Sequence, residues 1–253
     1  MQKIGFLGMG VMGLPMAKNV VQKCGLPVLG YDVVQKQMDA FREAGGIPVS
    51  DPVEIYKQCD VILQILPTHP IIHNSVEQAI QYGKPGNIIV DLSSTAPDII
   101  LELYEKTKAA GMSLLDSPVS GGNPMAIAGT LAIMTGGDKE AFEQVKPVLE
   151  CMGHPVYTGG PASGDVTKLV NNMIAGATLV AIAEGYAFAA KAGIDLQTTF
   201  EATRAALPAA PCTTTRCPRS SSGTMSPAPG SRSTGRTSST PSTTPTSWTW
   251  TRR

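Results

Sequence analysis

Short apolar runs alternate with helix-length amphipathic stretches through the first 160 residues. Runs rich in Val, Ile and Leu predict strands at 3–7, 28–31, 61–66, 88–91, 113–117, 131–135 and 156–158. Apolar positions recurring at helical spacing predict helices at 12–23, 35–44, 51–58, 73–82, 97–110 and 139–151. Strands this apolar must be covered on both faces, so the alternation predicts an α/β fold built on a mostly parallel sheet.

From residue 162 to 193 the pattern changes to one long Ala-rich stretch containing Gly176 and Gly185. It is too long for a sheet connection and predicts a spine helix that leads into a second, helical domain. Gly193 is its expected stop, and 196–206 the start of the next helix. The chain thus divides into 1–161, 162–206 and a remainder, 207–253.

That remainder holds twelve Thr, ten Ser, seven Pro and six Arg, but no Lys, Asp or Glu, and its apolar residues show no period. It reads as a disordered Ser/Thr/Pro tail. A second reading comes from the genetic code. Of its 47 residues, all but Leu207 and Met225 have codons with C or G at the middle base, the pattern of a GC-rich gene translated out of register. A frameshift near Leu207–Pro208 would then have replaced an acidic, helix-like continuation.

With 253 residues, the chain has room for one large or two modest domains. Twenty basic and twenty acidic residues give no net charge and no basic surface for nucleic acid. No unbroken apolar run reaches membrane-spanning length, and Met1 leads almost at once into a strand rather than a signal segment. The expectation is a cytoplasmic protein with no membrane or nucleic-acid partner. The five cysteines are odd in number and lack metal-ligand spacing, which fits free thiols in a reducing compartment. His69, His73 and His154 are too few and scattered to predict a metal site.

The candidate chemistry begins at Gly8, Gly10 and Gly13, a G-x-G-x-x-G string directly after a strand and before a helix. In that place the glycines allow a tight turn, close approach of backbone to a pyrophosphate, and helix–strand packing. Val11 and Met12, between them, belong to the same cofactor loop. Asp32 ends the second strand nineteen residues after Gly13, where a carboxylate accepts from ribose hydroxyls and repels a 2′-phosphate. It favours NAD over NADP, and it could equally cap the next helix.

Two more strand-end loops, with Leu66 and Pro67 in one and Ser94 and Thr95 in the other, could line the nicotinamide half of a cofactor or serve as ordinary turns. Ser120, Gly121 and Gly122 offer a hydroxyl and unobstructed amides, a nest for a substrate carboxylate or a tight turn between strands. Lys168 stands four residues before Asn172, which puts an ammonium and a carboxamide on one helix face. Such a pair can do proton chemistry on a bound carbonyl, or begin a solvated helix.

GFLGMGVMGLPMAKN, DSPVSGG followed by GTLAIMTGG, and GDVTKLVNN together resemble the signature segments of the β-hydroxyacid dehydrogenases, over residues 1 to about 206. This is the family of 3-hydroxyisobutyrate dehydrogenase and tartronate semialdehyde reductase. The resemblance implies a Rossmann-type NAD-binding domain, an interdomain helix and an all-helical C-terminal domain. It implies Ser120, Gly121 and Gly122 as holders of a small hydroxy-acid substrate's carboxylate, Lys168 as catalytic acid/base and Asn172 as orienting residue. The intact family member is expected to be a homo-oligomer. Asn171 stands where the related 6-phosphogluconate dehydrogenases usually carry His, which argues against that branch. Nothing after Leu207 matches the Lys-Asp pair with which the family's helical domain closes over its site.

Overall fold

A computed structural model of the chain describes residues 2–204. Its elements begin β1 (Ile4–Leu7), α1 (Gly13–Lys23), β2 (Val28–Tyr31), α2 (Gln35–Glu43), β3 (Ile47–Pro48), α3 (Pro52–Gln58), β4 (Val61–Gln64), α4 (His69–Tyr82) and β5 (Ile88–Asp91). They continue with α5 (Pro97–Ala109), β6 (Ser113–Asp116), β7 (Val119–Ser120), α6 (Gly122–Ala128), β8 (Leu131–Gly136), α7 (Lys139–Glu150), β9 (Gly153–Gly159), α8 (Ser163–Lys191) and α9 (Leu196–Arg204).

One sheet runs β3-β2-β1-β4-β5-β6-β8-β7, with β9 on the other edge of β8. The strands from β3 to β6 are all parallel. β8 runs antiparallel to β6 and β7 and parallel to β9. This is the mostly parallel sheet that the alternation predicts, in the Rossmann-type form that the resemblance implies. Chain order reverses between β1 and β4, so the loops leaving those two strands diverge and open a crevice at their carboxyl ends.

The strands are buried on both faces and split by period two. Ile4, Phe6, Val61, Leu63, Ile88 and Val90 join one core with Met16 of α1, Phe41 of α2 and Phe142 of α7. Their neighbours Leu7, Ile62 and Ile89 join the other core with Ile55 of α3, Val76 of α4 and Leu103 of α5.

Several boundaries differ from the sequence expectation. β4 stops at Gln64, which frees Ile65 and Leu66 for the loop at the crevice. α4 starts at His69, four residues early, because Pro70 fits a first helical turn where its missing N–H is not needed. The edge strand β3 tolerates Pro48 because only one of its sides is paired. β7 and α6 fall where Gly-Gly-Asn-Pro suggests only a turn.

α8 is rooted by buried Gly164 and Asp165 and then leaves the sheet. It passes Gly176 and Gly185 unbroken and ends before Gly193, which adopts φ +79°. Beyond its first turns it exposes apolar side chains, among them Met173 at 73% and Phe188 at 76%. Among the described residues it is the one helix long and apolar enough to cross a membrane, a test that helices of soluble proteins also pass.

Among the described residues the chain divides after Gly193, with α9 in a second unit. In the second, Asp195 caps α9 by accepting from the Thr198 amide (2.8 Å). The residues read as a tail or a frameshifted segment, 207–253, lie outside the described residues, as do Cys212 and Cys217. Cys24, Cys59 and Cys151 are free thiols.

The uneven burial gives a test by urea denaturation. Phe41→Ala, in a fully buried site, should cost about 3–5 kcal/mol. Met173→Ala should cost less than about 0.5 kcal/mol, and a larger loss would mean that this face of α8 is covered in solution.

Candidate functional site

The loop from β1 to α1 is shaped by its glycines. Gly8 adopts φ +87°, and a Cβ there would lie 2.2 Å from the Ile65 carbonyl oxygen of the neighbouring loop. A Cβ on Gly13 would lie 2.1 Å from the Gly8 carbonyl oxygen, so the first turn of α1 can close on the loop only with glycine. Gly10 differs: a Cβ there would meet nothing within 4 Å. Its lack of a side chain serves no internal packing and leaves the backbone bare to a ligand.

Val11 is 75% exposed, and Met12 packs partly against the core. Gly10 and Val11 also line one wall of a groove of about 470 Å³ that continues along Lys18 and Gln22 of α1.

Asp32 follows β2 and reaches back to this loop. Its Oδ2 accepts from the Met9 amide (2.5 Å) and its Oδ1 from the Val34 amide (2.8 Å). Two N–H donors occupy about half of a carboxylate's acceptor capacity, leaving lone pairs for a diol. The residue fixes the loop whether or not a ribose is present. A dinucleotide fits this arrangement, with backbone bare at Gly10 and a half-buried carboxylate one strand away.

The β4 and β5 loops meet as well. Leu66, Pro67, Thr68, His69 and Ser94 share a cleft of about 360 Å³. Buried Ser93, in the second of these loops, joins the two by accepting from the Leu66 amide through Oγ (2.9 Å). Thr95 is turned inward: Oγ1 donates to Asp91 (2.7 Å) and its amide to Asp165 (3.0 Å). Ser94 is the exposed member of this segment.

The Ser120–Gly122 segment is the end of β7 and the start of α6 rather than a bare turn. Gly121 at φ +135° and Gly122 at φ +68° give consecutive backbone turns that a side chain would strain, and a Cβ on Gly121 would collide with Met125. Asn123 ties this segment to the glycine loop through Nδ2 to the Val11 carbonyl (2.7 Å).

α8 carries Lys168 and, one turn on, Asn171 and Asn172. Asn171 Nδ2 donates to Ser120 Oγ (3.2 Å) and to Asn172 Oδ1 (3.3 Å). Asn171, which in the sequence stands out only by not being a histidine, is the residue that joins the helix to the Ser120 segment. Lys168 is half-buried, and among the described residues its ammonium has no hydrogen bond or ion pair. Burial lowers its pKa, which makes the neutral amine more accessible.

Beneath these residues, Asp116 at the end of β6 receives the N-terminus of α8. Its Oδ1 accepts from the Ala162 amide (3.0 Å) and its Oδ2 from the Asp165 amide (2.9 Å). Burial raises its carboxyl to a pKa of about 6 against these hydrogen bonds. Ala162 is the one non-glycine with positive φ (67°) among the described residues. Asp116 and Asp165 were legible only as letters of DSPVSGG and GDVTK. The residual signal was that strands end in Asp at 91 and 116, and that Asp32 directly follows another.

Comparison with known proteins places this site in a family context. Residues 3–160 match the family model of the NAD binding domain of 6-phosphogluconate dehydrogenase. Residues 162–229 match that of the NAD-binding domain of NADP-dependent 3-hydroxyisobutyrate dehydrogenase, a match that continues past Leu207. The chain is 34% identical over 200 residues to 2-(hydroxymethyl)glutarate dehydrogenase of Eubacterium barkeri, covering 78% of this chain and 66% of that protein. It is 34% identical over 196 residues to mitochondrial 3-hydroxyisobutyrate dehydrogenase of Mus musculus, covering 76% and 58%. The matches thus span less than two thirds of these relatives. The structure superposes on Mycobacterium tuberculosis 3-hydroxyisobutyrate dehydrogenase with L-serine at TM-score 0.77 and 31% identity, over 86% of this chain and 75% of that one.

The glycine geometry separates binding from folding. Gly10→Ala should leave the melting temperature within about 2 °C of the parent, since nothing is displaced, yet weaken NADH binding at least about tenfold by blocking backbone approach. Gly13→Ala should lower both, because its Cβ collides with the Gly8 carbonyl. Fluorescence titration and thermal melting measure the pair, and equal NADH affinity in Gly10→Ala and the parent would place the dinucleotide elsewhere.

Proposed function

Because the chain belongs to the β-hydroxyacid dehydrogenase family, we propose that it binds NAD and oxidises a small β-hydroxy acid to its semialdehyde, as a 3-hydroxyisobutyrate dehydrogenase does, and runs the reverse reduction. The observation that carries this reading is that α8 bears an unpaired, half-buried Lys168 one turn before Asn171, which contacts Ser120. That spacing supports a proton-transfer group on the same helix face as the contact to a carboxylate nest.

In this reading Gly8, Gly10, Val11, Met12 and Gly13 cradle the pyrophosphate, and Asp32 accepts from the adenosine ribose. Leu66, Pro67 and Ser94 flank the nicotinamide end, with Thr95 supporting from below. NAD, when bound, accepts hydride from the carbinol carbon. Ser120, Gly121 and Gly122 hold the substrate carboxylate, which fixes the hydroxyl-bearing carbon at a set distance from Lys168. Neutral Lys168 takes the hydroxyl proton during oxidation, and its ammonium returns one to the aldehyde oxygen in reduction. Asn172 orients the substrate oxygen.

The names of the relatives support a substrate class. 3-Hydroxyisobutyrate, 2-(hydroxymethyl)glutarate and L-serine all carry a primary alcohol β to a carboxylate and differ in the substituent between them. Tartronate semialdehyde reduction yields an acid of the same pattern and is the alternative within the class. A second reading is a NAD-binding protein impaired in turnover. It is favoured by the exposed apolar face of α8, which a helical domain or a second copy would cover. NADH binding without turnover of any acid in the class would select it.

In a chain that turns over, Lys168→Ala should lower kcat at least about a hundredfold while leaving NADH affinity within about threefold. The parent's oxidation rate should rise with pH as Lys168 loses its proton and level off below the ordinary lysine pKa of about 10.4, with reduction falling over the same range. A loss of less than about threefold in Lys168→Ala would assign the proton transfer to another group.

Cofactor choice tests Asp32. Asp32→Ser with Val33→Arg removes the repulsion of a 2′-phosphate and adds a partner at an exposed position, so the NADPH to NADH ratio should rise by about tenfold or more. Binding titrations with the two cofactors measure it, and an unchanged ratio would separate Asp32 from the ribose.

A further inference from the structure

Under the cofactor-facing loops lies a set of carboxyls that the proposed chemistry does not use. Strands β5 and β6 are paired so that their last residues, Asp91 and Asp116, stand side by side. Asp165, in the first turn of α8, completes the group. It is 2% exposed, and while its Oδ1 accepts from the Thr95 amide (3.0 Å), its Oδ2 is buried with no partner.

The contacts form a continuous path. Asp91 accepts from Thr95 Oγ1, Thr95 donates its amide to Asp165, and Asp165 donates its own amide to Asp116. Asp116 also holds Ala162 in its left-handed conformation. The cofactor loop and the helix that carries Lys168 are therefore joined through the side chain of one residue. Gly164 makes the approach possible, since a Cβ there would lie 2.4 Å from the Asp116 carbonyl oxygen.

We propose that Asp165 is a positioning residue held as an uncharged acid, coupling the Ser93–Thr95 loop to the Lys168 turn of α8 so that one buried proton governs both. This rests on the cofactor-binding reading above for its functional meaning, but not for the coupling itself.

The physical reason is the neighbourhood. Burial, then the charges of Asp116 and Asp91, push the Asp165 carboxyl up to about 8, against the opposing Thr95 amide. Among the described residues no charge from α5, β8 or β9, the other elements packed on α8, acts on it. Lys168, three residues on, forms no ion pair with it. Burial raises the Asp91 and Asp116 carboxyls as well, so losing the Asp165 proton would add a negative charge to a pocket that already disfavours it, with nothing to offset it. The cheapest relief is separation of α8 from the loop.

The sign follows from linkage. A carboxyl whose folded pKa is raised stabilises the fold fully below the unfolded value of about 3.9, and the contribution is lost as pH rises toward about 8. Asp165→Asn keeps an acceptor for Thr95 and a neutral donor in place of the acid. Asp165→Ala keeps neither.

The full chain serves for the experiment, first without cofactor. Hydrogen-exchange protection factors for 93–95 and 165–168 should fall together by about tenfold between pH 7 and 9 in the parent and stay flat in Asp165→Asn. Asp165→Ala should lack the protection at 93–95 at every pH. The NADH dissociation constant should rise about tenfold over the same interval in the parent, one proton being released above a pKa of about 8, and less than twofold in Asp165→Asn. Independent responses of the two segments, or the same pH dependence in Asp165→Asn as in the parent, would overturn the proposal. Coupled protection in a chain that binds no NADH would uphold it while removing the cofactor-binding reading. Should Asp165→Ala fail to fold, the parent and Asp165→Asn comparison decides alone.

Discussion

The position of Lys168 depends on how α8 enters the sheet. A helix begins with amides that lack partners within it, and burying them without acceptors costs free energy. Asp116 supplies both oxygens at the end of β6, one to Ala162 and one to Asp165. It thereby fixes the first turn of α8 against β6 and β8 and holds Ala162 in a conformation that costs about 1 kcal/mol or more in isolation. Every site residue on α8 takes its place from this anchor. Gly136 and Gly164 give the anchor room, because side chains at either position would meet Asp116.

The other half of the site depends on a second carboxylate used in the same way. Asp32 fixes the glycine loop by accepting from Met9 and Val34, so a residue that reads as a ligand group is also part of the loop's scaffold. Strand-end aspartates are thus used repeatedly, with different results. Half-buried Asp32 keeps free lone pairs at the surface, whereas buried Asp91 and Asp116 hold neighbouring segments together. The parallel sheet makes this possible by bringing its strand carboxyl ends to one edge.

Burial divides the first compact unit into two kinds of structure. The sheet and its helices enclose two apolar cores in which strand residues alternate between faces. α8 leaves that body after one well-packed turn and presents Leu169, Met173, Val180 and Phe188 to solvent. An apolar surface of that kind is characteristic of a face meant for burial.

How much of this was legible varies by residue type. The α/β class, the main strands and the glycine loop could be read because burial on both sheet faces writes near-continuous apolar runs, and G-x-G-x-x-G has little use outside a tight strand-to-helix turn. α6, β3 and β7 were not legible, since a two-residue edge strand has no period and Gly-Gly-Asn-Pro suggests a turn. By itself the sequence determined the sheet, the glycine loop and the helix with Lys168 and Asn172 on one face, all set by local spacing. Only the tertiary structure decided that Thr95 turns inward, that Asn171 meets Ser120, and that Asp91, Asp116 and Asp165 share one buried pocket. Those contacts join residues up to 70 positions apart, and local spacing carries no record of which strand ends a fold will bring side by side.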